Sequence, residues 1–142
     1  MRNEIINRLG FMMEQALGTM TGALAGAFKA GGIDLPHSQY AVIRLLFVTD
    51  VPLTQIMIAE ILKKDAAAIK RTVDILERKG LVRRESHNGR TNNVVCTDKA
   101  LALKDEVIMI ANETLHSIFG DFADAELDTF INTLGRIAEA KK

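Results

Sequence analysis

Cysteine is nearly absent from this 142-residue chain: the one thiol, Cys96, excludes an internal disulfide and suits a reducing cytosol. Net charge is absent too, because 18 Lys and Arg balance 18 Asp and Glu. With 48% apolar residues, that balance argues against disorder and for a single domain around one core. Catalytic signatures are missing: there is no Walker loop, no GxGxxG turn and no GxSxG elbow. His37, His87 and His116 lie far apart, with neither an H-x-x-x-H spacing nor a cysteine pair. The sequence therefore implies no zinc site and no other cofactor. Ser38 precedes a helical pattern and reads as a capping or solvent hydroxyl rather than a nucleophile. An enzyme has no motif behind it. Repeats, low-complexity tracts and linkers are lacking as well.

No signal-peptide pattern opens the chain, since residues 1–8 are mixed polar and no cleavage site follows a compact apolar run. Residues 11–28 are rich in Met, Leu, Ala and Phe, but Glu14, Gln15 and the glycine and hydroxyl interruptions before Lys29 argue against a membrane span. A long buried helix is the better reading. Gly18, Gly22 and Gly26 recur every four residues and line one face, which would let a helix of a second subunit approach closely. The alternative is that they simply weaken the helix, by about 1 kcal/mol each relative to alanine. Ala30, Gly31 and Gly32 end it. Pro36 suits the first turn of a second helix that runs to about Thr49, and Asp50-Val51-Pro52 breaks that helix.

Residues 53–97 are the distinctive part. Thr54 can cap a helix through Ile56, Ala59 and Leu62, and Lys63-Lys64-Asp65 is a polar break. Asp65 then caps a second helix, which Ala66, Ala67 and Ala68 favour and Gly80 terminates. On that helix Ile69, Val73 and Leu76 share one face, while Ala67, Arg71, Asp74 and Arg78 project from the other with Lys70 flanking. Residues 81–85 and 93–97 have strand character, and Asn88-Gly89 between them is the dipeptide preferred by a type I′ hairpin turn. Arg90 sits near the tip of this wing, and Cys96 on its second strand reads as a structural thiol rather than a redox switch.

Charge singles out the same segment. Residues 63–90 hold nine Lys or Arg against four acids, a net +5, whereas both flanks are net acidic. Such a patch attracts phosphates, although a charge run by itself is more often a solvated face. Joined to helix, turn, helix and hairpin in that order, it points to nucleic acid. Beyond the wing, Thr97 can cap a long helix through Leu101, Leu103, Val107, Ile110, Leu115 and Ile118, broken near Gly120. A last helix over residues 124–140 sets Leu127, Phe130, Ile131, Leu134 and Ile137 on one stripe. These stripes exceed what the small central segment can cover, so a dimer built from the terminal helices is the physical expectation.

Leu53-Thr54-Gln55, Ala59-Glu60, Val73-Asp74, the run LERKGLVRR from Leu76 and Thr97-Asp98-Lys99 resemble the pattern of the MarR family of winged-helix transcriptional regulators. The chain departs from that pattern with alanine at 66–68, where the family has polar residues, and with Asn88 where it has an Asp before the wing arginine. The resemblance implies a mainly α (α+β) fold: a winged helix-turn-helix lobe over 36–97, with dimerisation helices over 1–35 and 98–142. It implies a cytoplasmic homodimer that binds a pseudo-palindromic double-stranded operator and acts as a repressor relieved by a small aromatic or anionic effector. Lys70 and Arg71, with Ala66 and Ala67, would meet the major groove. Thr54, Gln55 and Lys64 would meet the backbone, Arg90 the minor groove or its edge, and Arg84 is counted with them among the DNA-binding residues. Tyr40 and Arg44, one turn apart, form the candidate effector pair, with core packing and a surface ion pair as the plainer alternative. The rival from another class is a winged-helix module that meets protein instead of DNA.

Overall fold

The computed structural model describes residues 1–86 and 89–140. His87 and Asn88 lie outside the described residues, and with them the expected type I′ turn; Gly89 itself has φ +80°. The elements in order are α1 (Arg2–Ala30), α2 (His37–Val48), β1 (Leu53–Thr54), α3 (Gln55–Leu62), α4 (Ala66–Arg78), β2 (Val82–Ser86), β3 (Asn92–Cys96), α5 (Asp98–Phe119) and α6 (Asp124–Ala138). This is a mainly helical winged-helix fold with one small antiparallel sheet in the order β1-β3-β2.

Three of the helices, α3, α4 and α5, start on side-chain caps. Thr54 Oγ1 accepts from the Met57 amide at 3.3 Å, Asp65 Oδ1 from Ala68 at 2.7 Å and Thr97 Oγ1 from Ala100 at 3.3 Å, each satisfying one otherwise orphaned N–H. At the far end of α4 the Leu81 amide donates to the Leu76 carbonyl and the Gly80 amide to that of Glu77. This closure needs the positive φ of Gly80, +76°. The turn between α3 and α4 uses the same left-handed geometry without a glycine, at Lys63 with φ 57°.

Four expectations are corrected. Leu53 and Thr54 form a third strand, paired with Val94 and Asn93; two residues are too few to show any alternation in sequence. The wing strands shift by one residue from 81–85 and 93–97, because Leu81 is taken up in closing α4 and Thr97 in capping α5. Ser38 lies inside α2 rather than before it. The long N-terminal helix is largely exposed in the single chain: of α1 only Leu24 and Phe28 are buried, and residues 2–19 are exposed throughout.

The core therefore occupies the middle of the chain. Phe28, Val42, Ile58, Val73, Leu76, Val82 and Val94 are its largest fully buried side chains, and Ala100, Val107 and Ala111 bring α5 onto it. No residue of α6 is buried. Ile69, Val73 and Leu76 hold α4 to this core, which leaves its opposite face outward. Ile56, in the first turn of α3, is 61% exposed.

Candidate nucleic-acid interface

The outward face of α4 and the wing enclose an open groove of about 470 Å³. Thr54, Gln55 and Ile56 form one wall, Lys70 and Asp74 the helical side, and Arg84, Arg90, Thr91 and Asn92 the wing side. The two-residue strand β1 sets this geometry, because its pairing with β3 fixes the start of α3 against the wing. Five of the nine expected contact residues thus converge: Thr54, Gln55, Lys70, Arg84 and Arg90. Lys64, Ala66, Ala67 and Arg71 are exposed on the α3–α4 turn and on α4 beside the groove. Among the described residues, neither Lys64 nor Arg71 is in an ion pair.

Arg84, counted among the DNA-binding residues, is turned inward. Its guanidinium is largely buried, with 18% of the side chain exposed. Nη1 donates to Glu77 Oε1 at 2.7 Å, Nη2 to Asp74 Oδ1 at 2.7 Å, and Nε and Nη2 to Gln55 Oε1 at 2.9 and 2.6 Å. The side chain ties the wing root to both helices of the helix-turn-helix, and it also occupies the amide oxygen of Gln55. Its planar fork suits this task, since it meets three acceptors in fixed directions. The other oxygen of Asp74 accepts from Lys70 Nζ at 3.0 Å. Hydrogen bonds from Lys70 and Arg84 hold the Asp74 carboxyl below its usual range, so it remains an anion that ties the wing root to a groove-lining lysine. Glu77 and the bridging role of Asp74 were not legible in sequence. The alternation of acids and bases at 70, 71, 74, 77 and 78 was the available signal, but it does not reveal the wing residue that completes the cluster.

A second clamp positions α4 against the other helices. Lys79 Nζ donates to the Asp34 carbonyl at 2.9 Å and to Gln39 Oε1, pairs with Asp34 Oδ2 at 3.1 Å, and Lys99 Nζ donates to the Lys79 carbonyl at 2.7 Å. Gln39 is a buried polar residue, and Lys79 satisfies it. His37 is less well placed: among the described residues its Nδ1 is buried without a hydrogen-bond partner, and burial and the Lys64 charge together hold its pKa below the usual value.

The Tyr40–Arg44 pair sits away from the groove. Tyr40 is 6% exposed, with its ring 5.0 Å from that of Phe28. Burial pushes its hydroxyl pKa up, against the opposing effect of a charge and hydrogen bond from Arg44. Its ring packs in the core, which leaves the exposed Arg44 as the accessible member. Nearby, Ile33, Leu35, Ile43, Phe47, Leu103 and Val107 line a narrow apolar cleft between α2 and α5. Burial also raises the Cys96 thiol pKa, which disfavours the reactive thiolate. Among the described residues no His, Cys, Asp and Glu cluster could hold a metal, and no helix is long and apolar enough to cross a membrane.

Residues 35–90 match the profile of the MarR family. No curated protein matches the chain. Solved structures match over nearly the whole length. A MarR-family transcriptional regulator from Rhodococcus sp. RHA1 is 24% identical, with a TM-score of 0.83 and coverage of 95% of this chain and 96% of that one. CouR from Rhodococcus jostii RHA1, bound to p-coumaroyl-CoA, is 25% identical with a TM-score of 0.81 and 94% of each chain covered. A probable transcriptional regulator from Pseudomonas aeruginosa is 26% identical, with a TM-score of 0.78 and coverage of 91% and 96%.

Proposed function

We propose that this chain, which carries a MarR-family domain over residues 35–90, is a sequence-specific DNA-binding transcriptional regulator. A single observation carries the reading: a wing and a helix with an outward basic face are tied together by Arg84 around a groove that also holds Lys70 and Arg90. Phosphate attraction supplies affinity, and the exposed start of α4 supplies contact with base edges. The regulator is a homodimer. This is supported by the exposed apolar residues of α1 and α6, including Ile5, Leu9, Phe130 and Ile131, which only another protein surface would cover. A two-fold dimer would bind a pseudo-palindromic site with half-sites about 34–36 Å apart, as a repressor in the cytoplasm.

Relief by a small molecule fits the same architecture. The exposed Arg44 guanidinium beside the Tyr40 hydroxyl could hold a carboxylate or phosphate, and the CouR structure contains p-coumaroyl-CoA. An effector would act by preferring the dimer geometry that cannot bind DNA. The test is a salt-titrated gel shift with random duplexes, followed by selection from a random pool. Binding that weakens steeply with salt and yields two-fold symmetric sites supports the regulator; no binding to any duplex at low salt rejects it.

One observation favours a second reading. Ile56, Met57 and Ile61 are exposed on α3, an apolar surface that a protein partner would cover. A winged-helix interaction module would bind protein and leave every duplex free in the same assay.

A further inference from the structure

Four side chains at the start of α4 sort into two stripes. Ala66 and Lys70 are one turn apart, and the groove between helix and wing takes in Lys70 together with Asp74 and Arg90. Ala67 and Arg71 form the adjacent stripe, about 100° further round the helix and outside that lining. Lys70 is tethered at 3.0 Å to Asp74, whereas Arg71 is exposed and, among the described residues, in no ion pair. Asp65, the acid at the helix start, turns its Oδ1 onto the Ala68 amide.

We infer that Arg71 and Ala67 determine base specificity, while Lys70 contributes phosphate attraction alone; this rests on the regulator reading. The chemistry names the bases. A guanidinium in the major groove makes its best-matched contact with O6 and N7 of guanine, through two parallel N–H donors. Alanine offers no hydrogen bond, and the apolar feature of the major groove is the thymine methyl. The operator half-site therefore carries a G·C pair read by Arg71 and a T·A pair whose methyl packs on Ala67. One helical turn separates the two side chains by about 6 Å along the axis. Against a rise of about 3.4 Å per base step, the two pairs lie within about two steps of each other. Lys70 faces the wing, so its ammonium follows the backbone that passes between helix and wing.

The test uses the full-length protein and duplexes selected from a random pool. Arg71→Ala should flatten discrimination at one guanine per half-site by about 5- to 150-fold, and Arg71→Lys should do the same, because a point charge does not replace the fork. Uracil in place of the critical thymine should weaken wild-type binding by about 3-fold, and Ala67→Gly should remove that penalty. Lys70→Ala should weaken all duplexes alike and lower the salt slope by about one per protomer. Unchanged thermal unfolding of Arg71→Ala shows that its loss is not one of folding. The inference is overturned if Lys70→Ala rather than Arg71→Ala flattens discrimination, or if uracil is neutral at every thymine. Wild-type protein that binds no duplex rejects the regulator reading and takes this inference with it. Preference for that guanine which survives Arg71→Ala rejects this inference alone.

Discussion

The middle of the chain and its two arms solve the burial problem differently. From β1 to β3, α3 and α4 begin with side-chain caps, and the wing root is fixed by an arginine with three partners. In the arms, α1 and α6 have no side-chain cap. Most of their large apolar residues lie open, with Ile6, Leu9 and Phe11 at 52%, 55% and 64% exposure and Ile131 at 63%. The lobe buries its apolar residues within one chain, whereas the arms leave most of theirs open. On the proposed reading, a monomer would carry a finished DNA-binding surface on an unfinished body.

The sharpest way to break that contrast is to spoil an arm. Replacing Phe130 and Ile131 by Glu should abolish the dimer in sedimentation analysis and lower operator affinity by about 100-fold or more, because the second half-site is no longer tethered. The far-UV signal of the lobe should persist. Retention of a dimer would place the interface elsewhere.

A smaller effect follows from opening the lobe. Arg84→Ala should destabilise the protein by about 2 kcal/mol, because it leaves Asp74, Glu77 and Gln55 without their shared donor. Thermal melting measures it, and a loss below about 0.5 kcal/mol would show that the cluster does not secure the wing.

Lys63→Gly runs in the opposite direction. A lysine at φ 57° is in a conformation that costs an L-residue about 1 kcal/mol, so glycine should raise the melting temperature while removing one positive charge from the turn. A lower melting temperature would show that Lys63 makes an offsetting contribution.

The smallest expected change concerns pH. His37 titrates below its usual value in the fold, so the unfolded chain binds more protons once the pH drops below about 6.5. Its effect on stability is thus absent above that pH and becomes unfavourable as the pH falls towards the folded value. His37→Gln should flatten the melting temperature between about pH 7.5 and 5.5 relative to wild type. Equal slopes would show that other groups set the acid response.

Much of the fold was legible in sequence for a local reason. Thr54, Asp65, Thr97 and Gly80 act on backbone groups within a few residues of themselves, and the apolar spacing of α4 fixes which face turns inward whatever the partner. The basic face of α4 was legible for the same reason. Arg84 was assigned to DNA because its charge could be counted while its partners, at positions 55, 74 and 77, could not be seen to converge. Residues 11–28 are largely exposed in the single chain, because apolar content says that a surface must be covered, not by which chain. The strand at Leu53 and Thr54 exists only because Val94 and Asn93 come alongside.

The sequence by itself determined where helices start and stop, which side of α4 faces the core and that the cations gather at 63–90, since each depends on neighbours along the chain. Only the tertiary structure decided which of those cations is tied down and which is presented. Lys70 meets Asp74 one turn along the same helix, whereas Arg84 reaches that carboxylate only because the fold brings the wing root alongside α4, and Arg71 is left outside the cluster.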